Sequence, residues 1–237
     1  MSKLYNESHR ALQDEFGTRR MADKIEEITC NGIVGENEKA FIESRDMFFL
    51  ATVDTEGCPT VSYKGGDPGF IRVVDERTVI FPSYDGNGMY LSMGNIASRG
   101  EVGLLFIDFE KPNRLRLQGQ AELSSDSALL AHFKEAELVV KVALRAVFVN
   151  CPRYVHRYEK VSSSRYVPRA ARETPVATWK RVDEIQDMLP ERDAAKVAAV
   201  GGKLLTSEEW VGMVVAGDPE ARPTRSISRR RNSMAVS

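Results

Sequence analysis

Between Met47 and Cys151 the sequence repeats one pattern, in which short apolar runs of strand length alternate with polar turns that contain glycine or proline. Runs rich in β-branched and aromatic residues, bounded by such turns, are typical of strands joined as hairpins. The pattern predicts six or seven strands, with one helix inserted after the fourth and another before the last. This order favours a mainly β fold, an antiparallel barrel with peripheral helices, over a doubly wound parallel sheet.

The sequence divides into four predicted parts. Residues 1–45 are expected to form a helical cover that packs on the main domain, and residues 46–160 to form the barrel. Residues 161–218 are expected to hold a linker and short helices, because their apolar pattern is weaker. The serine- and arginine-rich residues 219–237 have little apolar surface to bury, so a disordered basic tail is predicted there.

Apolar spacing and capping signals place the individual elements. The predicted helices are 8–16, 19–28, 36–44, 124–137, 152–160 and 190–200. The predicted strands are 47–53, 59–64, 70–74, 78–81, 101–107, 114–123 and 138–151, of which the last is expected to be central. Residues 206–209 resemble a capping box, which predicts one more helix start.

The stretch from Thr78 to Ile96 changes from a strand into a glycine-containing turn and then into helical spacing that begins near Met89. Pro82 is predicted to end the strand, and a polar turn follows at 83–88. A turn that feeds a helix N-terminus presents unpaired backbone N–H groups to an anion. Two interpretations stay open from these residues alone, a phosphate-binding turn and a surface connection without a ligand.

Strict alternation along one strand places Arg114, Arg116 and Gln118 on one face and Leu115 and Leu117 on the other. Arginine is a frequent donor to phosphate oxygens, so the polar face is a candidate binding surface. A solvated outer face of an antiparallel sheet is the alternative interpretation.

Composition limits the classes of function. Acidic and basic residues nearly cancel, leaving a formal net charge of −1, so the overall charge does not favour nucleic acid or a membrane as partner. Cys30, Cys58 and Cys151 lie far apart without metal-ligand spacing, so buried reduced cysteines and no metal are expected. The first residues show no signal-peptide pattern and no run is long enough to span a membrane, which predicts a cytoplasmic protein.

Five segments in the same order resemble the FMN-binding split-barrel family related to pyridoxamine 5′-phosphate oxidase. They are FFLATVDTEGCPTVSYKGG at 48–66, PGFIRVVDERTVIFPSYDGNGMYLSMGNI at 68–96, VGLLFIDF at 102–109, RLRLQGQAEL at 114–123 and NCPRYVHRY at 150–158. The resemblance is greatest to the branch of predicted flavin-nucleotide-binding proteins. It implies a split β-barrel and a homodimer that holds two FMN molecules between its subunits.

The resemblance also implies a cofactor site. Its strand 62–64 would line the flavin, the turn at 87–89 would meet the phosphate, and Arg114 would make a polar flavin contact. The residues assigned to FMN in this way are Ser62, Tyr63, Lys64, Gly65, Pro82, Ser83, Asn87, Gly88, Met89, Arg114, Arg116 and Gln118. The oxidases of the family carry an Arg-Lys pair where this chain has Gly88-Met89, so Lys64, Arg114 and Arg116 are the candidate cations.

The resemblance leaves several functions open. No Arg-x-His follows Trp179, whereas the oxidases use one to hold their substrate, so a flavin-dependent oxidoreductase acting on another small molecule is expected. No residue stands out as a catalytic acid or base. The alternatives are a carrier or sensor that binds a flavin or haem without turnover, an interaction module that has lost the site, and deazaflavin F420 in place of FMN.

Overall fold

The computed structural model describes residues 2–218 and 220–221. The chain forms two compact units, Met1–Glu159 and Lys160–Ser237. Apart from Glu220 and Ala221, the predicted basic tail lies outside the described residues.

The first unit is built on one antiparallel sheet of eight strands, as the mainly β split-barrel prediction required. The strands are β1 (Cys30–Asn31), β2 (Met47–Val53), β3 (Pro59–Gly65), β4 (Arg72–Asp75), β5 (Thr78–Tyr84), β6 (Glu101–Asp108), β7 (Asn113–Ser124) and β8 (Ala136–Val149). Their order is β3-β2-β6-β7-β8-β5-β4, with β1 paired to β8. The two-residue strand β1 was not predicted, because two residues carry no alternation to detect.

The helices lie around this sheet and in the second unit. They are α1 (Glu7–Glu15), α2 (Arg19–Thr29), α3 (Glu36–Glu43), α4 (Leu91–Ser98), α5 (Ser127–Leu130), α6 (Glu191–Val200) and α7 (Ser207–Ala216). Two short 3-10 helices, Thr178–Arg181 and Asp183–Met188, precede α6. The predicted capping box is confirmed, since the Thr206 side chain accepts from the Glu209 backbone and the Glu209 side chain bonds back to Thr206.

The core of the barrel forms where the inward residues of the strands meet. Phe48, Phe81 and Phe106 come from three strands and are fully buried. The Phe48 ring lies 5.0 Å from that of Phe81 and 5.2 Å from that of Phe106, measured between centroids. Aromatic contacts of this kind stabilise a core beyond simple burial, so this cluster fixes how β2, β5 and β6 pack.

Three local predictions were wrong. The helix predicted at 124–137 is reduced to α5, because Leu123 and Ser124 pair with β8 as part of β7 and Asp126 caps the short helix. The segment 152–160 is not helical, since Tyr158 and Arg157 instead donate to the carbonyls of Phe109 and Glu110, each at 3.1 Å.

Pro82 does not end its strand, which was the third error. β5 continues to Tyr84, and Pro82 pairs with Val139 of β8. On the other side of β5 the pairing with β4 ends at Ile80, so this edge has no partner strand where Pro82 lies. A proline, which has no N–H to donate, is tolerated at such an edge.

The helices α1 and α2 do not bury their apolar side chains in the barrel. No residue of either helix is buried. Their large apolar residues are exposed instead, namely Leu12, Phe16, Met21, Ile25 and Ile28. Each helix retains the apolar spacing that the sequence showed, but no described part of the chain buries that side of it.

The cysteine prediction was partly wrong. All three cysteines are free, but Cys58 and Cys151 are exposed and only Cys30 is partly buried. Cys58 ends the hairpin turn between β2 and β3, where its backbone N–H donates to Asp54, so its side chain has no core to enter.

Candidate functional site

A cavity of about 220 Å³ opens between β3, the end of β5 and the connection to α4. Its lining comes from Ser62, Lys64, Ser83, Tyr84, Gly86, Asn87, Gly88, Met89, Tyr90, Leu91, Ser92 and Met93. The cavity therefore lies at the turn that the sequence singled out as a candidate anion site.

The connection between β5 and α4 is shaped by its own side chains and by two residues with positive φ. Asn87 Oδ1 accepts a hydrogen bond from the Met89 backbone N–H at 3.1 Å. Gly88 has φ +75°, which suits glycine, and Tyr90 has φ +49°, which is uncommon for a residue with a side chain. The Tyr90 hydroxyl donates to Glu137 Oε2 at 2.6 Å, which ties the turn to β8.

The helix α4 begins two residues later than predicted. Met89 lies in the turn, and the first helical residues are Leu91, Ser92 and Met93, all of which line the cavity. The Tyr90 side chain makes no capping hydrogen bond at this end. The first N–H groups of a helix have no acceptor within the helix, so they lie next to the cavity with the positive end of the helix dipole.

Alternation along β3 places Ser62 and Lys64 on the same side of the strand, facing the cavity. The hydroxyl oxygens of Ser62 and of the buried Ser92 lie 2.9 Å apart, so the strand and α4 are joined at the cavity wall. This hydrogen bond fixes one wall of the cavity beside Lys64.

Lys64 is the one lysine or arginine among the lining residues that the structure describes. Burial lowers the pKa of its ammonium group, because leaving water disfavours the charged form. No hydrogen bond or ion pair joins the Lys64 ammonium to another described residue. A half-buried, unpaired cation in a cavity is a binding group for an anion.

Tyr84 and Ser92 were missed at the sequence level. Burial, followed by the carboxylates of Asp67 and Glu135, raises the pKa of Tyr84 to about 12. The phenol therefore keeps its proton at neutral pH and remains a hydrogen-bond donor. Tyr84 lies in the part of β5 after Pro82, which the prediction left outside the strand, and the register shift after Ser83 lets both residues line the cavity.

The structure brings together six of the twelve residues assigned to FMN. They are Ser62, Lys64, Ser83, Asn87, Gly88 and Met89. Pro82 is buried within β5, Gly65 ends β3 without lining the cavity, and Tyr63 points to the opposite side of β3.

Arg114, Arg116 and Gln118 share one face of β7, as predicted, but none of them lines this cavity. Arg114 Nη2 donates to the Cys151 carbonyl at 2.7 Å, and Arg145 Nη2 donates to Gln118 Oε1 at 3.3 Å. Gln118 contributes instead to a separate cavity of about 310 Å³ on the outer face of the sheet. In a single chain the three residues are therefore not ligands of the Lys64 cavity.

The outer face of the sheet continues from these residues to Tyr63. Strand pairing places Tyr63 opposite Phe49, Phe49 opposite Leu105, and Leu105 opposite Arg116. Paired residues of neighbouring strands point to the same side. Four strands thus form one surface, here called the sheet face, from the outward residues Phe49, Ala51, Val53, Val61, Tyr63, Gly103, Leu105, Ile107, Arg114, Arg116 and Gln118.

A single antiparallel sheet with peripheral helices and a cavity at the β5–α4 turn defines a split-barrel protein. The family model described as pyridoxamine 5′-phosphate oxidase matches residues 34–164, which is more than half of the chain. The chain therefore belongs to the pyridoxamine 5′-phosphate oxidase-like family, as its resemblance predicted.

The chain is also similar to solved structures. One is HupZ of Group A Streptococcus, which is 21% identical with a TM-score of 0.42; the match covers 53% of this chain and 99% of HupZ. The haem storage protein HutZ of Vibrio cholerae is 17% identical with a TM-score of 0.36, covering 49% and 94%. General Stress Protein 26 of Bacillus anthracis is 13% identical with a TM-score of 0.36, covering 46% and 88%. No significant match was found among curated proteins.

Two further properties concern partners. No helix in the described part of the chain is both long and apolar enough to cross a membrane. Among residues 2–218 and 220–221, no group of three or more His, Cys, Asp or Glu side chains is placed to hold a metal ion.

Proposed function

We propose that the Lys64 cavity binds the phosphate end of FMN and that the protein is an FMN-dependent oxidoreductase. The observation that carries this proposal is the unpaired, half-buried Lys64 ammonium beside the first turn of α4. A phosphate would pair with this cation and accept hydrogen bonds from the free backbone N–H groups. The single cation, where the oxidases of the family use a pair, makes the backbone donors more important here.

The residues around the cavity fit a phosphate-bearing cofactor. Ser62, Ser83 and Ser92 supply hydroxyl groups, and Tyr84 supplies a phenol that stays protonated. A Cβ added at Gly86 or Gly88 would meet no atom within 4 Å, so the turn leaves open space next to its backbone. Donors predominate among these groups, which suits an acceptor-rich anion.

One chain does not provide the whole site. Its cavity of about 220 Å³ is smaller than the ~300–1,000 Å³ typical of pockets that enclose a small-molecule ligand. On the sheet face, Val61 and Tyr63 are 66% and 62% exposed. Exposed apolar surface of this kind marks an interaction site. We therefore propose a homodimer in which a second copy covers the sheet face and completes the FMN site with Arg114, Arg116 or Gln118.

Bound FMN would supply the redox chemistry, accepting or donating a hydride or electrons at its N5. The chain would bind and orient it: Lys64 and the α4 backbone would hold the anionic end, and the Ser62–Ser92 pair would fix the wall beside it. The structure offers no carboxylate or histidine among the described lining residues to act as acid or base.

The haem alternative is less well supported by this cavity. Iron in haem is held by His, Cys, Met or Tyr side chains. His9, His132 and His156, the three histidines of the chain, all lie outside the lining, and no cysteine is part of it, so an iron ligand would have to come from its Tyr84, Met89, Tyr90 or Met93. Deazaflavin F420 has a phosphate-bearing tail like that of FMN, so the cavity chemistry does not separate these two cofactors.

The absorbance spectrum and the mass of the ligand that co-purifies with the full chain test the proposal. A flavin spectrum with the mass of FMN, bleached anaerobically by NADH or NADPH, is the expected result. A haem Soret band would identify haem as the ligand in place of FMN, and the mass of a deazaflavin would identify F420. A protein that stays colourless after reconstitution with FMN would contradict the proposed function.

A further inference from the structure

The exposed apolar stripe of α1 and α2 needs a partner surface. The two helices form an antiparallel hairpin held by ion pairs from Arg10 to Asp23 and from Arg19 to Asp14. Met21, Ile25 and Ile28 follow one another at helical spacing along α2, and Leu12 and Phe16 do so at the end of α1. These five apolar residues, here called the hairpin stripe, are between 44% and 71% exposed.

The end of the hairpin that leads into β1 lies next to the sheet face. Cys30, directly after α2, pairs with Phe148 of β8, and Phe148 pairs with Arg116 of β7. One row of paired residues therefore runs across the sheet from Cys30 through Arg116 to Tyr63 at the edge strand β3. The hairpin stands at one end of the row, and the exposed apolar residues of β3 stand at the other.

The hairpin of the same chain is too short to cover β3. Five strand spacings of about 4.8 Å separate Cys30 from Tyr63, which is about 24 Å along the sheet. The eleven residues of α2 extend about 16 Å at 1.5 Å per residue. Consistent with this, Val61 and Tyr63 are exposed within the chain.

A second copy brings the two ends together. A twofold axis that lies in the plane of the sheet face and runs parallel to its strands stacks the two copies face to face with their edges reversed. The β3 edge of one copy then lies opposite the edge of the other copy at which its hairpin stands. The hairpin of one protomer then meets β3 of the other. We infer that the hairpin stripe packs on Val61 and Tyr63 of a second copy of this chain, next to the Lys64 cavity of that copy. This inference rests on the homodimer proposed above.

Charge favours this arrangement over contact between the two hairpins. Residues 7–29 contain six acidic and four basic residues, a net charge of −2, so two hairpins would repel each other. The outward residues that define the sheet face include two cations, Arg114 and Arg116, and no carboxylate, so this face attracts an acidic hairpin. Size points the same way, because the sheet face has fewer residues than the ~20–30 per partner of a standard interface, and the hairpin adds to them.

Disulfide trapping tests the contact directly. Two differently tagged chains are co-expressed in a background in which Cys30, Cys58 and Cys151 are replaced by serine, one carrying Ile25→Cys and the other Val61→Cys. The expected product after oxidation is a disulfide-linked dimer that carries both tags. A dimer linked mainly through two Ile25→Cys chains, or an unlinked dimer, would overturn the inference.

Sedimentation velocity over a dilution series gives a second, independent readout. Ile25→Glu is expected to raise the dimer dissociation constant at least tenfold, whereas Glu27→Gln, on the polar side of α2, leaves it unchanged. Helical circular dichroism shows whether the variant hairpin still folds. A wild-type dimer that Ile25→Glu does not weaken, with the hairpin folded, refutes the hairpin contact alone. A wild-type monomer refutes the homodimer as well, and FMN content measured on the same samples reports separately on the cofactor.

Discussion

The hydroxyl oxygens of Ser62 and Ser92 lie 2.9 Å apart although thirty positions separate them in the sequence. One belongs to the edge strand β3 and the other to the first turn of α4, so the hydrogen bond joins the two elements that flank the Lys64 cavity. Ser92 is buried, and Ser62 therefore satisfies a polar group that has little access to water.

Replacing Ser92 by alanine should lower the free energy of unfolding by about 1 kcal/mol, the net value of one such hydrogen bond. Thermal or chemical denaturation checks this value. Ser98→Ala is the matched control, because the exposed Ser98 hydroxyl bonds only to the Asn95 carbonyl of its own helix. Equal losses of unfolding free energy in the two variants would show that the hydrogen bond between β3 and α4 stabilises the protein no more than a local one within α4.

Lys64→Met should have opposite effects on stability and on binding. The unpaired ammonium is half-buried, so removing its charge should raise the melting temperature of the cofactor-free protein. The same change should weaken FMN binding about 10- to 100-fold, the range for losing a charge-assisted contact. Lys141→Met, which breaks an exposed ion pair with Glu122, is the control and should change neither property much.

The pH dependence of stability follows from the same lowered pKa. Between the folded-state pKa of Lys64 and the unfolded value of about 10.4, the unfolded chain holds a proton that the folded chain has released. In this window the free energy of unfolding of the wild type rises with pH. The amount by which Lys64→Met is more stable than the wild type should therefore shrink. FMN affinity of the wild type should fall over the same window. An advantage that stays constant up to pH 10 would contradict the lowered pKa.

Much of this fold could be predicted from the sequence because its strands alternate and its turns are marked. β2 was predicted at its observed bounds, since the run Met47–Val53 is closed by a polar turn. The errors lie where tertiary contacts decide. Nothing local in 124–137 shows that Leu123 and Ser124 pair with β8, and the rule that proline ends strands fails for Pro82 because its edge of β5 is free.

The site was only partly predictable for a related reason. Alternation places Ser62 with Lys64, and Arg114 with Arg116, but it does not state which of the two sets faces the turn. Which side faces the turn depends on how the sheet closes. The closure follows from the order of all the strands and cannot be seen in the sequence of any one of them. Whether both sets meet one cofactor depends in turn on a second chain, which the sequence alone does not show.

Asn87→Asp should weaken FMN binding about tenfold while leaving the fold intact. The carboxylate would still accept from the Met89 N–H but would add a negative charge at the cavity that is proposed to hold a phosphate. Asn6→Asp is a matched control, since the Asn6 side chain also accepts from a backbone N–H, that of His9, at the start of α1 and outside the lining of this cavity. Titration with FMN measures both, and unchanged affinity of Asn87→Asp would exclude this turn as the phosphate site.

Gly119→Ala and Gly103→Ala should differ sharply although both glycines lie in the central strands. A Cβ at Gly119 would clash with the Ala143 carbonyl oxygen, so β7 or β8 would have to move. A Cβ at Gly103 would meet only the Ala51 side chain, at 3.7 Å. Overpacking typically costs about 1–3 kcal/mol, so Gly119→Ala should lose that much on denaturation and Gly103→Ala little. Similar losses would mean that close approach of β7 to β8 is not what requires glycine.

The ion pair of Lys180 and Asp193 should determine the stability of the second unit. Its atoms lie 2.9 Å apart with both side chains 5% exposed, and Asp193 Oδ1 has no hydrogen-bond partner among the described residues. Asp193→Ala would remove the carboxylate that neutralises a buried ammonium, so a loss of about 3–5 kcal/mol is expected. The double variant Lys180→Met with Asp193→Leu should recover most of this loss, because apolar side chains replace both charges.

Tryptophan fluorescence provides the measurement, since both tryptophans of the chain, Trp179 and Trp210, belong to the second unit. Denaturation followed by this signal should shift in Asp193→Ala, whereas the signal of the FMN proposed to bind the barrel serves as an internal reference. Lys203→Met breaks the exposed pair with Glu209 and should cost no more than about 1 kcal/mol. If Asp193→Ala were as mild as Lys203→Met, the buried pair would contribute no more to stability than an exposed one, and the packing around Asp193 would have to admit water.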